Sequence, residues 1–270
     1  MDIINNICNS LDAIRQNRPL VHNITNFVVM NETANATLCI GALPIMSHAV
    51  EEVEEMVGIA SALVLNIGTL TPDWIDAMEL AGKRANERNI PVILDPVGAG
   101  ATRLRTDSSK RLLDNVKISI VRGNAGELAA LVGISSEVRG VESISVSETS
   151  EQIANRFALA TGCTAAITGV IDVVSNGKRT AKISNGDVML SKVVGTGCMS
   201  SVIVGCFAAV EPDPFAAAVS GLTAFGISGE LAAAQSGDKP GTFHMELYNA
   251  LNGLTTEDIQ ARAKLVLHEG

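Results

Sequence analysis

The fold is decided by the stretch "ALVLNIGTLTPDWIDAMELAGKRANERNIPVILDPVG", residues 62–98. Its two ends, "ALVLNIG" and "IPVILDPVG", are apolar runs typical of buried strands. Between them Thr71 is placed to cap a helix, and Pro72 occupies the first helical position. A strand, a helix and a second strand in this order predict a βαβ unit with parallel strands.

The same alternation continues along the chain. Further strands are predicted in "ISIVRGN" (118–124) and "TAAITGVIDVVSNG" (164–177), with helices in "GELAALVGI" and "SETSEQIANRFALATGC". A polar, hairpin-like piece and a long helical region rich in Ala and Gly follow Gly177. No linker, charge block or repeat divides the sequence. We therefore predict one α/β domain over residues 1–270, with a mostly parallel sheet.

Composition restricts the class of protein. Hydrophobic residues make up 47% of the chain but aromatic residues only 3%, which suits strands of small aliphatic residues covered by helices. A net charge of −9 argues against nucleic acid as a partner. The five cysteines are an odd number, scattered and without CxxC spacing, and no signal peptide precedes them. We expect reduced thiols and a cytoplasmic protein.

Two uncharged stretches, Val193–Val210 and Pro214–Gly229, are long enough to suggest membrane spans. Both are interrupted by Gly, Ser or Thr, neither is flanked by a basic cluster, and Glu211 and Asp213 separate them. We predict two buried helices and no membrane partner.

The segment "VVGTGC" (193–198) leads into one of these helices. Gly195 and Gly197 can turn backbone N–H groups inward together, and a helix N-terminus adds partial positive charge. This arrangement suits phosphate. The alternative is a tight turn before a packed helix.

Two further motifs supply carboxylates at strand ends. In "RGNAGE" (122–127), Asn124 and Glu127 share a helix face, and Glu127 could hold Mg²⁺ directly or through water. In "LDPVGAGATRLRT", Asp95 could join the metal's water shell. The alternatives are a capping box in the first motif and an Asp-Pro turn in the second.

Together these three motifs predict one ATP–Mg²⁺ site, because the carboxyl ends of parallel strands meet at one edge of a sheet. A GxxxxGK[ST] motif does not occur, so the sequence does not support a P-loop protein.

At this point the sequence resembles the hydroxyethylthiazole kinases of thiamin salvage, which have the ribokinase-like fold with helices on both faces of the sheet. The resemblance covers most of the chain in the order "PLVHNITNFVVMNETANATL", "GALPIMSHAVEEVEEM", "ALVLNIGTL", "PVILDPVGAGATRLRT", "RGNAGELAAL", "AITGVIDVV", "VVGTGC" and "KPGTF". It implies ATP-dependent, Mg²⁺-requiring phosphorylation of the alcohol of 4-methyl-5-(2-hydroxyethyl)thiazole, and a homotrimer with sites shared between subunits.

The resemblance also implies roles for individual residues. For the substrate, it implies that Met46 contacts the thiazole, that Gly195 is the glycine on the substrate side, and that Asn23 or Asn26 lies beside the thiazole ring. On the ATP side it implies Arg122 and Thr168, near Asn124. Around the reacting hydroxyl it places Thr196, Gly197 and Cys198. Each has a structural alternative, such as core packing for Met46 or a local turn for Asn23 and Asn26.

Cys198 stands where related sugar and vitamin kinases usually have an aspartate base. A helix N-terminus lowers the pKa of a thiol, whereas a nearby γ-phosphate raises it. The sequence leaves open whether Cys198 accepts the proton or only orients the alcohol. His22 and His48 are expected to be satisfied polar side chains rather than catalysts.

Three other interpretations remain at this stage. A hydroxymethylpyrimidine kinase or a nicotinamide-hydrate dehydratase would carry Asp at position 198 and lack "LVHNITN". A cysteine-nucleophile enzyme would need a base partner for Cys198, and no sequence signature supplies one. A non-catalytic nucleotide-binding protein would not need Asp95 and Glu127.

Overall fold

A nine-stranded sheet forms the centre of the protein. The computed structural model describes residues 3–133, 136–139, 142–146 and 148–269, with backbone only at 136–139 and 142–146. The strands are β1 (Leu20–Ile24), β2 (Leu43–Ile45), β3 (Ala62–Asn66), β4 (Val92–Asp95), β5 (Ile120–Gly123), β6 (Ser136–Arg139), β7 (Glu142–Val146), β8 (Thr164–Ile167), β9 (Asp172–Ser175), β10 (Arg179–Ile183) and β11 (Leu265–Glu269).

Helices connect and cover these strands. They are α1 (Ile3–Asn17), α2 (Met30–Ile40), α3 (Val53–Gly58), α4 (Pro72–Glu87), α5 (Arg103–Asn115), α6 (Ala125–Leu131), α7 (Ser150–Thr161), α8 (Thr196–Ala208), α9 (Pro214–Ser236), α10 (Pro240–Gly253) and α11 (Thr256–Arg262), with a 3₁₀ helix at Val188–Lys192. As predicted, the Thr71 hydroxyl caps α4 by accepting from the Trp74 N–H. The helix predicted in "GELAALVGI" ends at residue 134, and the helix predicted in "SETSEQIANRFALATGC" begins at residue 147. Both of these residues lie outside the described residues.

The strand order is β11-β10-β9-β8-β5-β4-β3-β1-β2. From β2 to β8 neighbouring strands are parallel, so the prediction of a mostly parallel sheet is confirmed. The stretch 164–177 is two strands rather than one, because the chain reverses after Thr168 and β9 pairs antiparallel with β8. Strands β6 and β7 form a separate two-stranded sheet.

Helices pack on both faces of the large sheet, because alternate residues of each parallel strand point to opposite sides. Val64 and Ile93 belong to the core under α8 and α9, whereas Leu65 and Leu94 belong to the core under α4 and α7. The result is a stack of three layers, helix, sheet and helix.

Helix α9 is the one helix in the described part of the chain that is long and apolar enough to cross a membrane. However, 89% of its most apolar 18-residue window is buried inside the protein. This burial favours the predicted core helix for 214–229. Helix α8 likewise occupies the first uncharged stretch, and most of its residues are buried.

Candidate active site

A cavity of about 450 Å³ lies at the carboxyl ends of β3, β4, β5 and β8. Most residues proposed from the sequence line it. They are Asn26, Asp95, Arg122, Asn124, Glu127, Thr168, Gly195, Gly197 and Cys198. The structure therefore brings together motifs that are more than 100 positions apart in the sequence.

A hydrogen-bond network fixes Asp95, the last residue of β4. Its Oδ2 accepts from Asn66 Nδ2 at 2.8 Å and from the Ser201 hydroxyl at 2.7 Å. Asn26 Nδ2 donates to Asn66 Oδ1 at 2.8 Å and lies 3.6 Å from the sulfur of Cys198. The network connects the segment after β1 with β3, β4 and α8, and it holds the buried Asp95 carboxylate in a defined orientation.

Glu127 forms the capping box that the sequence offered as an alternative. Its Oε2 accepts from the Asn124 N–H at 2.8 Å, and the Asn124 side chain accepts from the Glu127 N–H at 2.9 Å. In addition, Glu127 Oε1 accepts from the Gly98 N–H at 2.7 Å, across from the loop after β4. The carboxylate is therefore fixed in place and still lines the cavity.

Burial raises the pKa values of these acids. Burial and the charge of Asp95 raise the pKa of Glu127 to about 7, against the opposing effect of its two amide donors and Arg122. Burial also raises the pKa of Asp95, while Arg122, Ser201 and Asn66 lower it. A bound cation would favour the ionised form of both acids.

Two carboxylates in one cavity fit Mg²⁺, which keeps several waters and takes one or two carboxylates plus phosphate oxygens. Among the described residues no cluster of three or more His, Cys, Asp or Glu side chains could enclose a metal. Asp95 and Glu127 thus suit a hydrated ion that is completed by phosphate. Whether they hold one stays a prediction.

Arg122 lies between this cavity and a second one of about 590 Å³ that includes Thr196, Leu222 and Phe225. Its Nη2 donates to the hydroxyl of Thr168, and its Nη1 is 3.8 Å from Asp95 Oδ2. Its Nε–H is buried without a hydrogen-bond partner in the described structure. A buried, unsatisfied guanidinium donor beside two cavities suits an anionic ligand.

The start of α8 separates the same two cavities. Gly195 precedes the helix with φ of +94°, and a side chain there would approach Val29 Cγ1 to 2.7 Å. A Cβ at Gly197 would stand 3.1 Å from Arg122 Nη1. Glycine thus lets the backbone come close to Arg122. The Thr196 hydroxyl donates to Leu190 O at 2.7 Å. Because Thr196 is in the first turn of α8, its backbone N–H has no intrahelical acceptor.

Burial and the charge of Asp95 raise the pKa of Cys198 to about 12, outweighing Arg122 and the neighbouring amide side chains. The thiol is therefore neutral near pH 7. The four histidines of the described residues lie elsewhere: His22 contacts Ser47 O, His48 stacks on Trp74, His244 contacts Tyr248, and His268 belongs to the edge strand β11. This environment disfavours a cysteine nucleophile.

Met46 and Asn23 do not line either cavity in the described part of a single chain. Met46 follows the edge strand β2, and Asn23 lies within β1. Asn23 Nδ2 donates to the carbonyl of Val21 at 3.1 Å, while its Oδ1 is buried without a partner in the described structure. Their contact with a substrate stays a prediction.

Sequence reasoning missed several residues of the site. The carboxylate of Asp95 accepts from Asn66 and Ser201. Arg105 donates to the loop after β3, and Asp172 lines the second cavity. Asn66 could have been found, because it is the polar residue that ends β3 in the corner "NIGT". Ser201 is one of two adjacent serines in α8 and offers no such signal.

The sequence matches the model of the hydroxyethylthiazole kinase family over residues 11–257. A hydroxyethylthiazole kinase from Desulfatibacillum aliphaticivorans is 51% identical over 250 residues, which are 93% of this chain and 93% of that protein.

Solved structures agree in fold. A hydroxyethylthiazole kinase protein from Pyrococcus horikoshii OT3 superposes with a TM-score of 0.90 at 42% identity, covering 98% of this chain and 100% of that one. A pyridoxal kinase from Staphylococcus aureus, in complex with AMP-PCP and pyridoxal, gives 0.64 at 14% identity over 93% and 99% of the two chains. That second likeness concerns the ribokinase-like fold alone.

Proposed function

Because this chain belongs to the hydroxyethylthiazole kinase family, we propose that it phosphorylates the alcohol of 4-methyl-5-(2-hydroxyethyl)thiazole with ATP. The product is the thiazole monophosphate, used in thiamin biosynthesis or salvage. The observation that carries the proposal is the start of α8, where Gly195–Cys198 lies between two cavities beside Arg122.

The nucleotide is assigned to the 590 Å³ cavity, whose apolar side chains Leu222 and Phe225 suit a base. The alcohol is assigned to the 450 Å³ cavity, next to Cys198 and Asn26. Arg122, Thr168 and Gly197 line both, so the γ-phosphate belongs at their junction. Positioning and charge stabilisation there supply most of the catalysis.

Asp95 and Glu127 are the residues proposed to hold Mg²⁺ through its water shell. When bound, the ion would neutralise charge on the phosphates. The partly buried guanidinium of Arg122 and the N–H groups of the first turn of α8 would stabilise the same charge.

Cys198 is assigned an orienting role. The raised pKa keeps the Cys198 thiol protonated, so the thiol cannot accept the proton of the alcohol. The alcohol oxygen forms the new bond to the γ-phosphorus, the bond from phosphorus to the β–γ bridging oxygen breaks, and the alcohol proton leaves with the transferred phosphoryl group. The loose transition state makes a strong base unnecessary.

A cytoplasmic homotrimer is the assembly that we propose, with the substrate site shared between neighbouring subunits. Support comes from Met46 and Asn23, which are expected to contact the thiazole but lie away from the cavities of their own chain. A neighbouring subunit would supply such contacts.

The proposal is tested by incubating the protein with ATP, Mg²⁺ and the thiazole alcohol and detecting the phosphate ester by mass spectrometry. Asp95→Asn serves as the matched variant, since it preserves shape and removes charge. Ester formation by the wild type and its strong reduction in the variant are expected. Absence of ester with folded, ATP-binding protein would contradict the proposed function.

A further inference from the structure

Arg105, in the first turn of α5, makes an unusual set of contacts. Its guanidinium donates to the carbonyls of Val97 and Gly68, both at 2.6 Å, and more weakly to Ile67 O at 3.4 Å. These carbonyls belong to the loops after β3 and β4, which together form one wall of the 450 Å³ cavity. One side chain therefore joins the two loops.

The same side chain packs closely on Gly98. A Cβ at Gly98 would lie 2.9 Å from Arg105 Cδ, and the residue has φ of +76°. Glycine is required there for both reasons. Arg105 thus determines the path of the backbone immediately after Asp95 and Pro96.

Each clamped loop holds one of the two carboxylates. On the β4 side, the Gly98 N–H donates to Glu127 Oε1 at 2.7 Å. On the β3 side, the Gly68 N–H donates to Asn66 Oδ1 at 3.0 Å, and Asn66 Nδ2 donates to Asp95 Oδ2. Two short chains of hydrogen bonds therefore lead from Arg105 to Glu127 and to Asp95.

Arg105 forms no ion pair within the described residues, although most other arginines with side-chain contacts there do. A partly buried guanidinium satisfied by neutral carbonyls contributes defined geometry through its planar, multiple donors. Lysine could not reproduce this geometry, because an ammonium group donates from a single point.

We propose that Arg105 is a positioning residue of the phosphoryl transfer. It sets the separation and orientation of Asp95 and Glu127 by clamping the loops that hold them. Arg105 also lines the 450 Å³ cavity, but its guanidinium donates to the loop carbonyls, and no contact with either substrate is assigned to it. This inference rests on the proposed function and on the proposed placement of Mg²⁺ between the two carboxylates.

The test compares Arg105→Met, which keeps an apolar stem on Gly98, with Arg105→Lys and with Arg103→Met. Arg103 is the matched control, since it lies in the same turn and its exposed side chain only pairs with Asp107. Calorimetry gives the Kd of ATP with and without Mg²⁺, and ester formation gives kcat. Arg105→Met should lower kcat about a hundredfold, as expected for small misplacements of charged groups.

The factor by which Mg²⁺ tightens ATP binding should be at least about fivefold smaller in Arg105→Met than in the wild type. The Kd of ATP without Mg²⁺ should stay within about twofold of the wild-type value. Arg105→Lys should recover little, and Arg103→Met should match the wild type. Wild-type kcat and Mg²⁺ gain in Arg105→Met would overturn the proposal. An equal loss of ATP affinity with and without Mg²⁺ would also overturn it, by indicating direct contact with the nucleotide.

A double-mutant cycle with Glu127→Asp provides a second measurement. Because Arg105 acts through Glu127, the combined loss should be clearly smaller than the product of the single losses. Independent, multiplying losses would contradict the proposal. If Arg105→Met does not fold, the same measurements on Arg105→Lys decide whether Arg105 is a positioning residue. If the wild type forms no ester, the proposed function fails, and the Mg²⁺-dependent ATP affinities then decide only whether Arg105 positions Asp95 and Glu127.

Discussion

At the start of α8, burial overrides the helix dipole at Cys198. The dipole acts like a positive charge of roughly half an elementary charge at the helix N-terminus, and this charge favours a thiolate. Burial of the sulfur and the proximity of Asp95 act in the opposite direction and raise its pKa to about 12. The residue that occupies the usual position of a base is therefore a neutral hydrogen-bonding group.

Replacing Cys198 tests this assignment. A general base contributes about 10²–10⁴ to the rate, so Cys198→Ala should lower kcat by less than about tenfold if the thiol only orients the alcohol. Cys198→Asp should keep or raise turnover, since it restores a carboxylate. Cys39→Ala, at a partly exposed cysteine of α2, is the control. Loss of all phosphorylation in Cys198→Ala, with folding and ATP binding intact, would assign the thiol an indispensable role.

Glu127 gives a pH dependence of stability. Its pKa rises from an ordinary value of 4.5 to about 7 on folding, so the folded state binds the proton more tightly than the unfolded state. Its stabilising contribution is complete below the unfolded pKa and is lost as the pH rises through about 7. Each unit of pKa difference corresponds to about 1.4 kcal/mol.

Urea unfolding without metal or nucleotide measures this effect. The free energy of unfolding of the wild type, minus that of Glu127→Gln, should fall between about pH 5 and about pH 7.5. Glutamine cannot titrate but retains one oxygen acceptor and the side-chain volume. A difference that is flat or rises with pH would contradict the raised pKa.

At the scale of elements, α8 and α9 depend on glycines for close packing. A Cβ at Gly221 of α9 would lie 2.7 Å from Val204 Cα, a backbone atom of α8 that cannot move by itself. A Cβ at Gly205 of α8 would lie 2.5 Å from Val64 Cγ2 in β3. The C-terminal half of α8, the helix that begins at the proposed phosphate site, is therefore held by tight contacts on two sides.

We expect Gly221→Ala to destabilise the protein by about 1–3 kcal/mol, because the two helices must separate. Gly241→Ala in α10 is the control, since its Cβ would meet no atom within 4 Å. That variant should be unchanged or slightly more stable, because alanine is the better helix former. Thermal or urea unfolding of both variants measures the difference. Equal stability of the two variants would contradict the packing argument.

Local signals in the sequence were sufficient for four of the parallel strands, β3, β4, β5 and β8, and for their polar ends, whereas β1 and β2 were not predicted. Asp95, Arg122 and Thr168 each follow an apolar run, and a parallel sheet must bring such positions to one edge. The edge strand β11 gave no comparable signal, because most of it is exposed and its pairing with β10 joins positions as distant as Arg179 and Glu269.

The site was less predictable than the sheet. The partners of Asp95 and Glu127 include Ser201 and Gly98, whose roles arise only from tertiary packing. The protonation of Cys198 depends on competing contributions, and the depth of burial that decides between them is a property of the folded chain.

For the whole molecule, one chain contains the residues proposed to bind the phosphates but leaves Met46 outside the two cavities. If the proposed homotrimer shares sites between subunits, its mass in solution should be three times 28.1 kDa by light scattering. Met46 of one subunit would then complete the cavity of a neighbour.

Complementation between variants tests this sharing. Met46→Glu should block the thiazole pocket, and Asp95→Asn should impair phosphoryl transfer, so each variant alone should be nearly inactive. In trimers assembled from an equal mixture, a site is intact only where a Met46→Glu subunit supplies Asp95 and its neighbour supplies Met46. Random assembly therefore restores about a quarter of wild-type activity when the two variants are refolded together. Each variant refolded alone is the control. Mixed trimers that stay inactive would place Met46 and Asp95 in the same subunit's site.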